Sequence, residues 1–394
     1  MILSHKIRLV PTEGQEAYFR RACGVSRFTY NWALAKWKED YEVGDKPSGR
    51  ALRVKFNAIR KTDFPWTYAV HRDCTAGAFD RVQSAFQHFF RRVKAGGVKP
   101  GYPKFKKRGK AKDAFSIAND KFSLDGKKIR VPKLGWVKMR EALRFSGKIM
   151  SAVVSRTADK WFVAIAVDTS VVLRPPKTKG AVGVDLGISA LATVSDGRKV
   201  QHSPERKKLE KQVRRLQKSV SRKQRGSASR RKAVVRLSRK HYELVCLRAD
   251  TLHKLTTGLV QDYQGIIIED LNVKGMVKNR HLARSISRQG WAEFRRQLEY
   301  KCEIHDRELV VADRFYPSTK TCSGCGAVKT VALSERIYRC PVCGLSMDRD
   351  VNAAINLSRL GAGSSDVKPA ETEALAGQQL TSETAVCEAG TEFG

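Results

Sequence analysis

Three acidic residues in this sequence lie in settings that would bring metal-binding carboxylates together. Asp185 ends the apolar run AVGVD, Glu269 ends the run GIIIE, and the pair Asp348 and Asp350 opens the amphipathic pattern DRDVNAAINL (348–357), which supplies the third acid. An ionised carboxylate in an apolar run is costly unless a cation pairs with it, although one such Asp could equally cap a turn or meet an Arg. Three clustered carboxylates cannot all ionise without cations. Together they predict a site for Mg²⁺ or Mn²⁺, of the type that hydrolyses phosphodiesters with two metal ions.

A second metal site is predicted by the cysteines. Four of the nine form two Cys-x-x-Cys-Gly motifs that are separated by fourteen residues, and the predicted ligands are Cys322, Cys325, Cys340 and Cys343. Two such motifs close a tetrahedral site of four thiolates around a structural Zn²⁺, with no position left open for catalysis. The other five cysteines show no pairing pattern, which is typical of a cytosolic protein without a disulfide framework.

The charge of the chain predicts a nucleic-acid partner. There are 76 Lys and Arg against 39 Asp and Glu, a formal net charge of +37, and such an excess favours a polyanionic partner. Residues 206–240 contain sixteen Lys or Arg and one acid. Within 204–262, apolar residues at helical spacing (Leu209, Val213, Leu216 and Val220, then Val234, Val235 and Leu237) predict a helical hairpin with a narrow apolar seam and a cationic exterior. Its predicted backbone contacts are Arg214, Arg215, Lys218, Arg222, Lys223, Arg230 and Arg231, and a merely solvated coiled-coil surface is the alternative.

A basic loop, KPGYPKFKKR (99–108), interleaves aromatic rings with cations. Tyr102 and Phe105 offer stacking faces for bases, while the cations offer phosphate contacts, as suits a single strand or a folded RNA. The predicted contacts are Lys104, Lys106, Lys107 and Arg108. A solvated charged loop is the alternative.

Periodicity predicts the elements that position these residues. Period-two patterns between 113 and 172 predict a small β-barrel that a first strand, 2–9, could join, while helical periodicity begins at a Thr12–Gln15 capping box and continues to about residue 95. From 179 onward the order is three strands, helices, a strand, helices, a strand (308–312) and a helix, which is the order of an RNase H-like fold. The acidic segment 361–394, with a net charge of −5, is predicted to be disordered. There is no run of 18 apolar residues and no signal peptide, which predicts a cytoplasmic protein with no membrane partner.

In this order, the motifs resemble those of the TnpB (OrfB-type) proteins of insertion sequences, RNA-guided nucleases related to compact type V CRISPR effectors. The residues that carry the resemblance are GVDLGI (183–188), IIIEDLNVKGM (266–276), GWAEFRRQLEYK (290–301), CSGCG…CPVCG (322–344) and DRDVNAAINL (348–357), with weaker matches at 27–34, 64–70 and 131–139. The resemblance implies a multidomain α+β chain. Its expected parts are a β-barrel wedge domain (1–12 plus 113–172), an inserted helical recognition domain (13–112), a RuvC-like nuclease domain (179–313 plus 346–360) that carries the basic hairpin 204–262, and a zinc ribbon (314–345).

The resemblance also implies an RNA-guided DNA endonuclease of a transposable element, monomeric on its guide RNA, with target DNA as the second partner. Asp185, Glu269 and Asp350 match the catalytic acids, and Asp350 is preferred to Asp348 because it directly precedes the VNAA run. One departure concerns the helix that reads the motif beside the target. Relatives often carry Lys and Gln there, whereas this chain has HRDCTAG (71–77), so a different target-adjacent motif is expected.

Two alternative functions are a transposase or nuclease that acts on DNA without RNA, and a non-cleaving RNA-guided repressor. The order Asp, Glu, Asp disfavours a cut-and-paste transposase of the acidic-triad type, in which the Glu normally comes last. A repressor has no need for three mutually repulsive carboxylates.

Overall fold

The computed structural model describes residues 1–96, 100–169, 179–332 and 334–360, and the backbone of 367–369. These residues fall into two compact units, one within 1–170 and the other within 171–379. No helix in the described ranges is both long enough and apolar enough to cross a membrane.

The first unit combines three helices with a seven-stranded antiparallel sheet. In chain order its elements are β1 (Ile2–Val10), α1 (Glu13–Glu42), α2 (Gly49–Asp63), α3 (Asp73–Lys94), β2 (Ala114–Ala118), β3 (Ser123–Asp125), β4 (Lys128–Val131), β5 (Gly135–Met139), β6 (Lys148–Thr157) and β7 (Lys160–Asp168). The strand order is β2-β6-β7-β1-β5-β4-β3. The prediction that the first strand joins the later ones is confirmed, because β1 pairs with both β7 and β5.

The prediction that these strands close into a barrel is wrong. Strands β2 and β3 lie at opposite edges of the sheet, and the described residues contain no pairing between them. Helix α1 covers the apolar face instead: the ring of Phe19 lies 5.8 Å from that of Phe115 and 5.1 Å from that of Trp161, and all three are buried. Because a helix already removes this face from water, the sheet remains open.

Helix α1 contributes to two apolar cores. Its start is the predicted capping box, in which Thr12 and Gln15 bond each other's backbone N–H. Residues from Tyr18 to Val25 pack against the sheet, whereas residues from Tyr30 to Trp37 pack against α2 and α3. One thirty-residue helix thus joins the sheet to the helical part of the unit. The boundary expected at residue 13 between a wedge and a recognition domain stays a prediction.

The second unit is built on a six-stranded mixed sheet ordered β10-β9-β8-β11-β12-β15. In chain order its elements are β8 (Lys179–Asp185), β9 (Ala192–Val194), β10 (Lys199–Val200), α4 (Pro204–Ser221), α5 (Ala228–Asp262), β11 (Tyr263–Glu269), α6 (Val273–Met276), α7 (Ala283–Gln289), α8 (Trp291–His305), β12 (Glu308–Ala312), β13 (Ile337–Arg339), β14 (Ser346–Asp348), α9 (Arg349–Leu360) and β15 (Val367–Pro369). Strands β8, β11 and β12 are parallel to one another. The order of elements through α9 is the predicted one, except that the short strands β13 and β14 lie between β12 and α9.

Strand β15 corrects one expectation about the acidic tail. We predicted disorder for 361–394, but Val367–Pro369 pairs with β12 in antiparallel fashion. A short segment can satisfy the backbone groups that an edge strand leaves unpaired, whatever its composition. The remainder of the tail lies outside the described residues.

Helices α4 and α5 form the predicted hairpin. Gly226, with φ of 87°, lies in the turn between them. Val213 and Ala233 are buried in the seam, but Val234, which we assigned to it, is 41% exposed. Neighbouring helical residues point about 100° apart, so the burial of Ala233 directs Val234 away from α4.

Candidate functional site

Two of the predicted acids end neighbouring parallel strands. Val184 of β8 is in register with Ile268 of β11, so the next residues, Asp185 and Glu269, lie side by side at the carboxyl edge of the sheet. Asp185 is only 8% exposed, and Glu269 is half-buried. The hydroxyl of Ser318 donates a 2.6 Å hydrogen bond to Glu269 Oε1, which fixes the orientation of that carboxylate.

The third acid reaches the same edge on helix α9, which packs directly on β8. Gly183 permits this packing, because a Cβ there would lie 2.0 Å from the carbonyl oxygen of Ala354 and 2.5 Å from the backbone nitrogen of Ser358. Asp350 lies in the first turn of α9. Any side chain at position 183 would therefore displace the helix that carries Asp350.

Asp348 has a different role from Asp350. Its Oδ1 accepts hydrogen bonds from the backbone N–H groups of Asp350 (3.0 Å) and Val351 (3.1 Å), and its Oδ2 pairs with Lys199 Nζ at 2.6 Å. Burial would raise the pKa of Asp348, but Lys199 and the two backbone donors outweigh it, and the pKa is lowered. Asp348 thus caps the start of α9.

The electrostatics of the three predicted acids show that they crowd one another. Burial first, and then the charges of Glu269 and Asp350, hold the pKa of Asp185 well above its ordinary range. Burial also raises the pKa of Glu269. Arg349 opposes the effect at Asp185, and its guanidinium donates to Asp350 Oδ1 at 3.1 and 3.2 Å. Such a cluster gains from a bound cation, and its hard carboxylate oxygens suit Mg²⁺ or Mn²⁺.

The four predicted zinc ligands converge. Their sulfur atoms all lie within 4.8 Å of one another, with 3.6 Å from Cys322 to Cys343 and from Cys325 to Cys340. Tetrahedral coordination with Zn–S bonds of about 2.3 Å requires sulfurs about 3.8 Å apart, so the four thiols fit Zn²⁺. In the described part of the chain no other three or more ligating side chains come this close, and the three carboxylates are accordingly more widely spaced.

Both Cys-x-x-Cys-Gly motifs have the same backbone geometry. The N–H of Gly326 donates to the carbonyl of Cys322, and the N–H of Gly344 donates to that of Cys340, with φ of 79° and 73° at the glycines. Backbone N–H groups, that of Cys343 above all, lower the pKa of the Cys340 thiol to about 6. This lowering favours the thiolate of Cys340, which is the form that binds metal.

In contrast, the pKa of Cys343 is raised to about 12. The backbone N–H of Leu345 favours its thiolate, but hydrogen bonds with the neighbouring thiols outweigh that effect. A second negative charge beside the first is unfavourable until a cation binds.

Sequence reasoning missed the residues that join the zinc ligands to α9. Asn352 accepts from the backbone N–H of Ser323 (2.9 Å) and donates to the carbonyl of Thr321 (2.8 Å). Asn356 donates to the carbonyls of Ser318 (2.8 Å) and Thr321 (2.7 Å). Both amides are buried. The available signal was a pair of asparagines four residues apart on the apolar face of a helix, since buried amides need partners.

The cations predicted for the hairpin differ in exposure. Lys223 and Arg230 are half-buried. The guanidinium of Arg230 donates a 3.3 Å hydrogen bond to the carbonyl of Lys223, which closes the turn between α4 and α5. The exposed members are Arg214, Arg215, Lys218, Arg222 and Arg231.

The basic loop of the first unit is held to α1. The ammonium of Lys106 lies 3.9 Å from the centre of the Tyr30 ring. The ring of Tyr102 packs against Phe86 and Phe89, so Phe105, which is 50% exposed, offers the freer stacking face. The cations that stay exposed are Lys104, Lys107 and Arg108.

Family models match three parts of the chain. Residues 163–280 match the OrfB family, described as "Probable transposase", and residues 291–357 match a "Cas12f1-like, TNB domain". Residues 1–46 match a "Helix-turn-helix domain". Over that last range the structure has strand β1 and the single helix α1, with no turn inside the helix.

Relatives match nearly the whole chain. A protein of Streptomyces pristinaespiralis named "Putative RNA-guided DNA endonuclease" is 34% identical, over 91% of this chain and 89% of its own length. InsQ of Escherichia coli K12, with the same description in its name, is 32% identical, over 90% of this chain and 91% of its own. A solved structure of a Cas12f1-sgRNA-target DNA complex has a similar fold, with a TM-score of 0.54 at 13% identity over 90% of this chain and 84% of that one.

The fold is therefore an α+β arrangement of the kind seen in a compact Cas12f1 effector. On the strength of the full-length relatives, the chain belongs to the TnpB (OrfB) family, and the resemblance noted from its motifs is confirmed.

Proposed function

We propose that this protein is an RNA-guided DNA endonuclease that cleaves its target with Asp185, Glu269 and Asp350. The observation that carries the proposal is the convergence of three acids from β8, β11 and α9, where burial and then the charges of Glu269 and Asp350 raise the pKa of Asp185. Full-length relatives bear the name of RNA-guided DNA endonucleases, which supports a guide RNA and a target DNA as partners. The second unit is, in this proposal, an RNase H-like (RuvC) nuclease domain.

The three acids would hold Mg²⁺ or Mn²⁺, which when bound supplies Lewis acidity for phosphodiester hydrolysis. The protein's own contacts prepare that site. Ser318 orients Glu269, Asp348 fixes the start of α9, and Arg349 holds Asp350. Because these contacts exist before substrate arrives, little reorganisation is left for the reaction itself.

The remaining parts receive supporting roles. Cys322, Cys325, Cys340 and Cys343 would hold a structural Zn²⁺, and the buried asparagines of α9 couple that ribbon to the helix of Asp350. The exposed cations of the α4–α5 hairpin and of loop 99–108 would follow nucleic-acid backbone. The first unit would act as wedge and recognition apparatus for the guide RNA and the motif beside the target.

The decisive experiment compares Asp350→Asn with Asp348→Asn. Asn caps a helix about as well as Asp does, so Asp348→Asn should keep Mg²⁺-dependent cleavage within a few-fold of wild type. Asp350→Asn should lower the cleavage rate by at least about a hundredfold, since charge stabilisation at such a site contributes several kcal/mol. Guide-RNA binding should be equal in both variants. Cleavage retained in Asp350→Asn, or lost equally in both, would refute the assignment of the acids.

The two alternative functions give different results in the same preparation. Sequencing of the RNA that copurifies with the protein should return one defined species. Mg²⁺-dependent cleavage by RNA-free protein would favour a nuclease or transposase that acts without a guide. RNA-directed binding without cleavage by the wild-type chain would favour a repressor.

A further inference from the structure

The loop that follows β12 both begins and ends at Glu269. Ala312, the last residue of β12, is in register with Glu269 of β11. Six residues later, the hydroxyl of Ser318 donates a hydrogen bond to the Glu269 carboxylate. Both ends of the loop 313–317 therefore lie next to Glu269. Phe315 is three residues from Ala312, so its Cα lies within about 11 Å of that strand end.

The ring of Phe315 is the most exposed large apolar side chain in the described ranges, at 86%. Its neighbour Tyr316 turns the other way: its ring packs against the core of Ile267, Val310 and Leu357, and its hydroxyl donates to the carbonyl of Asn356 at 3.2 Å. The less polar of two adjacent rings is thus the one in solvent. Burial of apolar surface alone would favour the opposite arrangement.

The backbone beneath this ring is fixed. The carboxylate of Asp313 accepts a 2.8 Å hydrogen bond from the N–H of Phe315, and its carbonyl accepts one from the N–H of Tyr316. Arg314 pairs with Asp270, the residue after Glu269. No described residue makes an aromatic or cation–π contact with the Phe315 ring. A hydrogen-bonded loop therefore presents an exposed aromatic ring near the carboxylate edge.

We propose that Phe315 stacks on an unpaired nucleobase of the DNA strand that enters the carboxylate site and so positions the phosphodiester for cleavage. This inference rests on the proposed nuclease function. Every base has a π-face, so such stacking is tolerant of sequence, which suits a nuclease whose sequence selection is made by guide pairing. Placing one nucleotide against a fixed ring limits the positions of its phosphate, and such positioning contributes directly to rate.

The first test replaces the ring in otherwise intact protein. Phe315→Ala and Phe315→Leu should lower the cleavage rate at subsaturating target DNA by about tenfold, the scale of one base–aromatic contact. Phe315→Trp should retain it, because Trp keeps the stacking face. Since the ring is exposed, melting temperature and zinc content should not change in any of the three, and both serve as controls for folding.

The second test reports stacking itself. Target strands carrying 2-aminopurine at successive positions near the cut are bound by guide-loaded Asp185→Ala protein, which does not cleave them in the proposed mechanism. Quenching of the 2-aminopurine fluorescence should occur at one position, persist with Phe315→Trp, and be lost with Phe315→Ala and Phe315→Leu.

The proposal would be overturned if Phe315→Ala cleaved as fast as wild type and if, in the Asp185→Ala background, it quenched 2-aminopurine as strongly as the protein with Phe315 in place. Parent-like behaviour of Phe315→Leu would overturn it too, because apolar contact without stacking would then suffice. Failure of the proposed function itself looks different: the wild-type chain with Phe315 in place would not cleave in Mg²⁺. The fluorescence experiment would still decide whether the ring binds a base in that case.

Discussion

Adjacent residues around the carboxylate edge have separate roles that residue type alone does not reveal. Asp348 caps a helix and pairs with Lys199, Arg349 bonds to Asp350, and Asp350 adds its charge to that of Asp185. The rotation of about 100° per residue at a helix start separates these directions. Of these three neighbouring charged residues, Asp350 belongs to the carboxylate cluster, Arg349 is its counter-charge, and Asp348 caps the helix.

The buried asparagines lead to a prediction about zinc. Asn352→Ala leaves the N–H of Ser323 without its acceptor, while the carbonyl of Thr321 still receives a bond from Asn356. An unsatisfied buried donor costs about 1–3 kcal/mol, so the free energy of unfolding of the second unit should fall by about 2 kcal/mol. Zn²⁺ should also pass faster to a chelator, which is followed with a chromogenic dye.

The matched control is Ser358→Ala on the same helix. Among the described residues its hydroxyl bonds only to the carbonyl of Ile355 within α9, so the change should cost less than about 0.5 kcal/mol. Equal zinc-release rates for Asn352→Ala and Ser358→Ala would show that the asparagine does not couple the ribbon to the helix.

At the scale of elements, strands, helix starts and turns can be predicted from the sequence where a few neighbouring residues encode them. Apolar runs that end in Asp185 and Glu269 become adjacent strands, the Thr12–Gln15 box starts α1, and a glycine turn separates α4 from α5. Each of these signals is contained within a few residues. The element order of the second unit, and with it the approximate position of all three acids, follows from them.

Contacts between distant segments were not predictable in the same way. Whether β2 meets β3 depends on how the sheet is covered, and here the Phe19 ring of α1 packs against Phe115 and Trp161. The bond from Ser318 to Glu269 joins positions 49 residues apart. The strand Val367–Pro369 forms because β12 offers a free edge, which tail composition does not show.

Helix–strand packing gives a prediction with a control in the same strand. Gly183→Ala should force α9 away from β8, because its Cβ would lie 2.0 Å from a backbone oxygen. Overpacking of this kind costs about 1–3 kcal/mol or more, and the shift of Asp350 should abolish most DNA cleavage. Gly180→Ala adds the same methyl group to β8 with no atom within 4 Å. Its unfolding midpoint and cleavage rate should match wild type. Normal cleavage by Gly183→Ala would show that close contact of α9 with β8 does not set the position of Asp350.

At the scale of the whole molecule, charge is the dominant property. The net charge is +37, and the tail 361–394 contributes −5, so the preceding 360 residues carry +42. Some of the cations form ion pairs within the protein: Arg206 and Arg288 pair with Glu210, and Arg295 pairs with Asp270. In the α4–α5 hairpin, residues 206–240 contain sixteen Lys or Arg and one acid, and Arg214, Arg215, Lys218, Arg222 and Arg231 are exposed. Those cations, like the exposed ones of loop 99–108, remain available to a polyanion.

Salt dependence of guide-RNA binding tests that availability. Each phosphate contact contributes about 0.7–0.9 to the slope of log affinity against log salt concentration. Replacing Arg214, Arg215 and Lys218 together with Gln should therefore reduce the slope by about 2 to 3 and weaken binding similarly for unrelated RNA sequences. The matched control exchanges the two arginines for Lys, which keeps every charge and should keep the slope. Binding isotherms between about 50 and 200 mM salt separate the variants. An unchanged slope in the Gln variant would mean that the hairpin does not lie on RNA backbone, and the phosphate contacts would then have to come from other cations, such as those of loop 99–108.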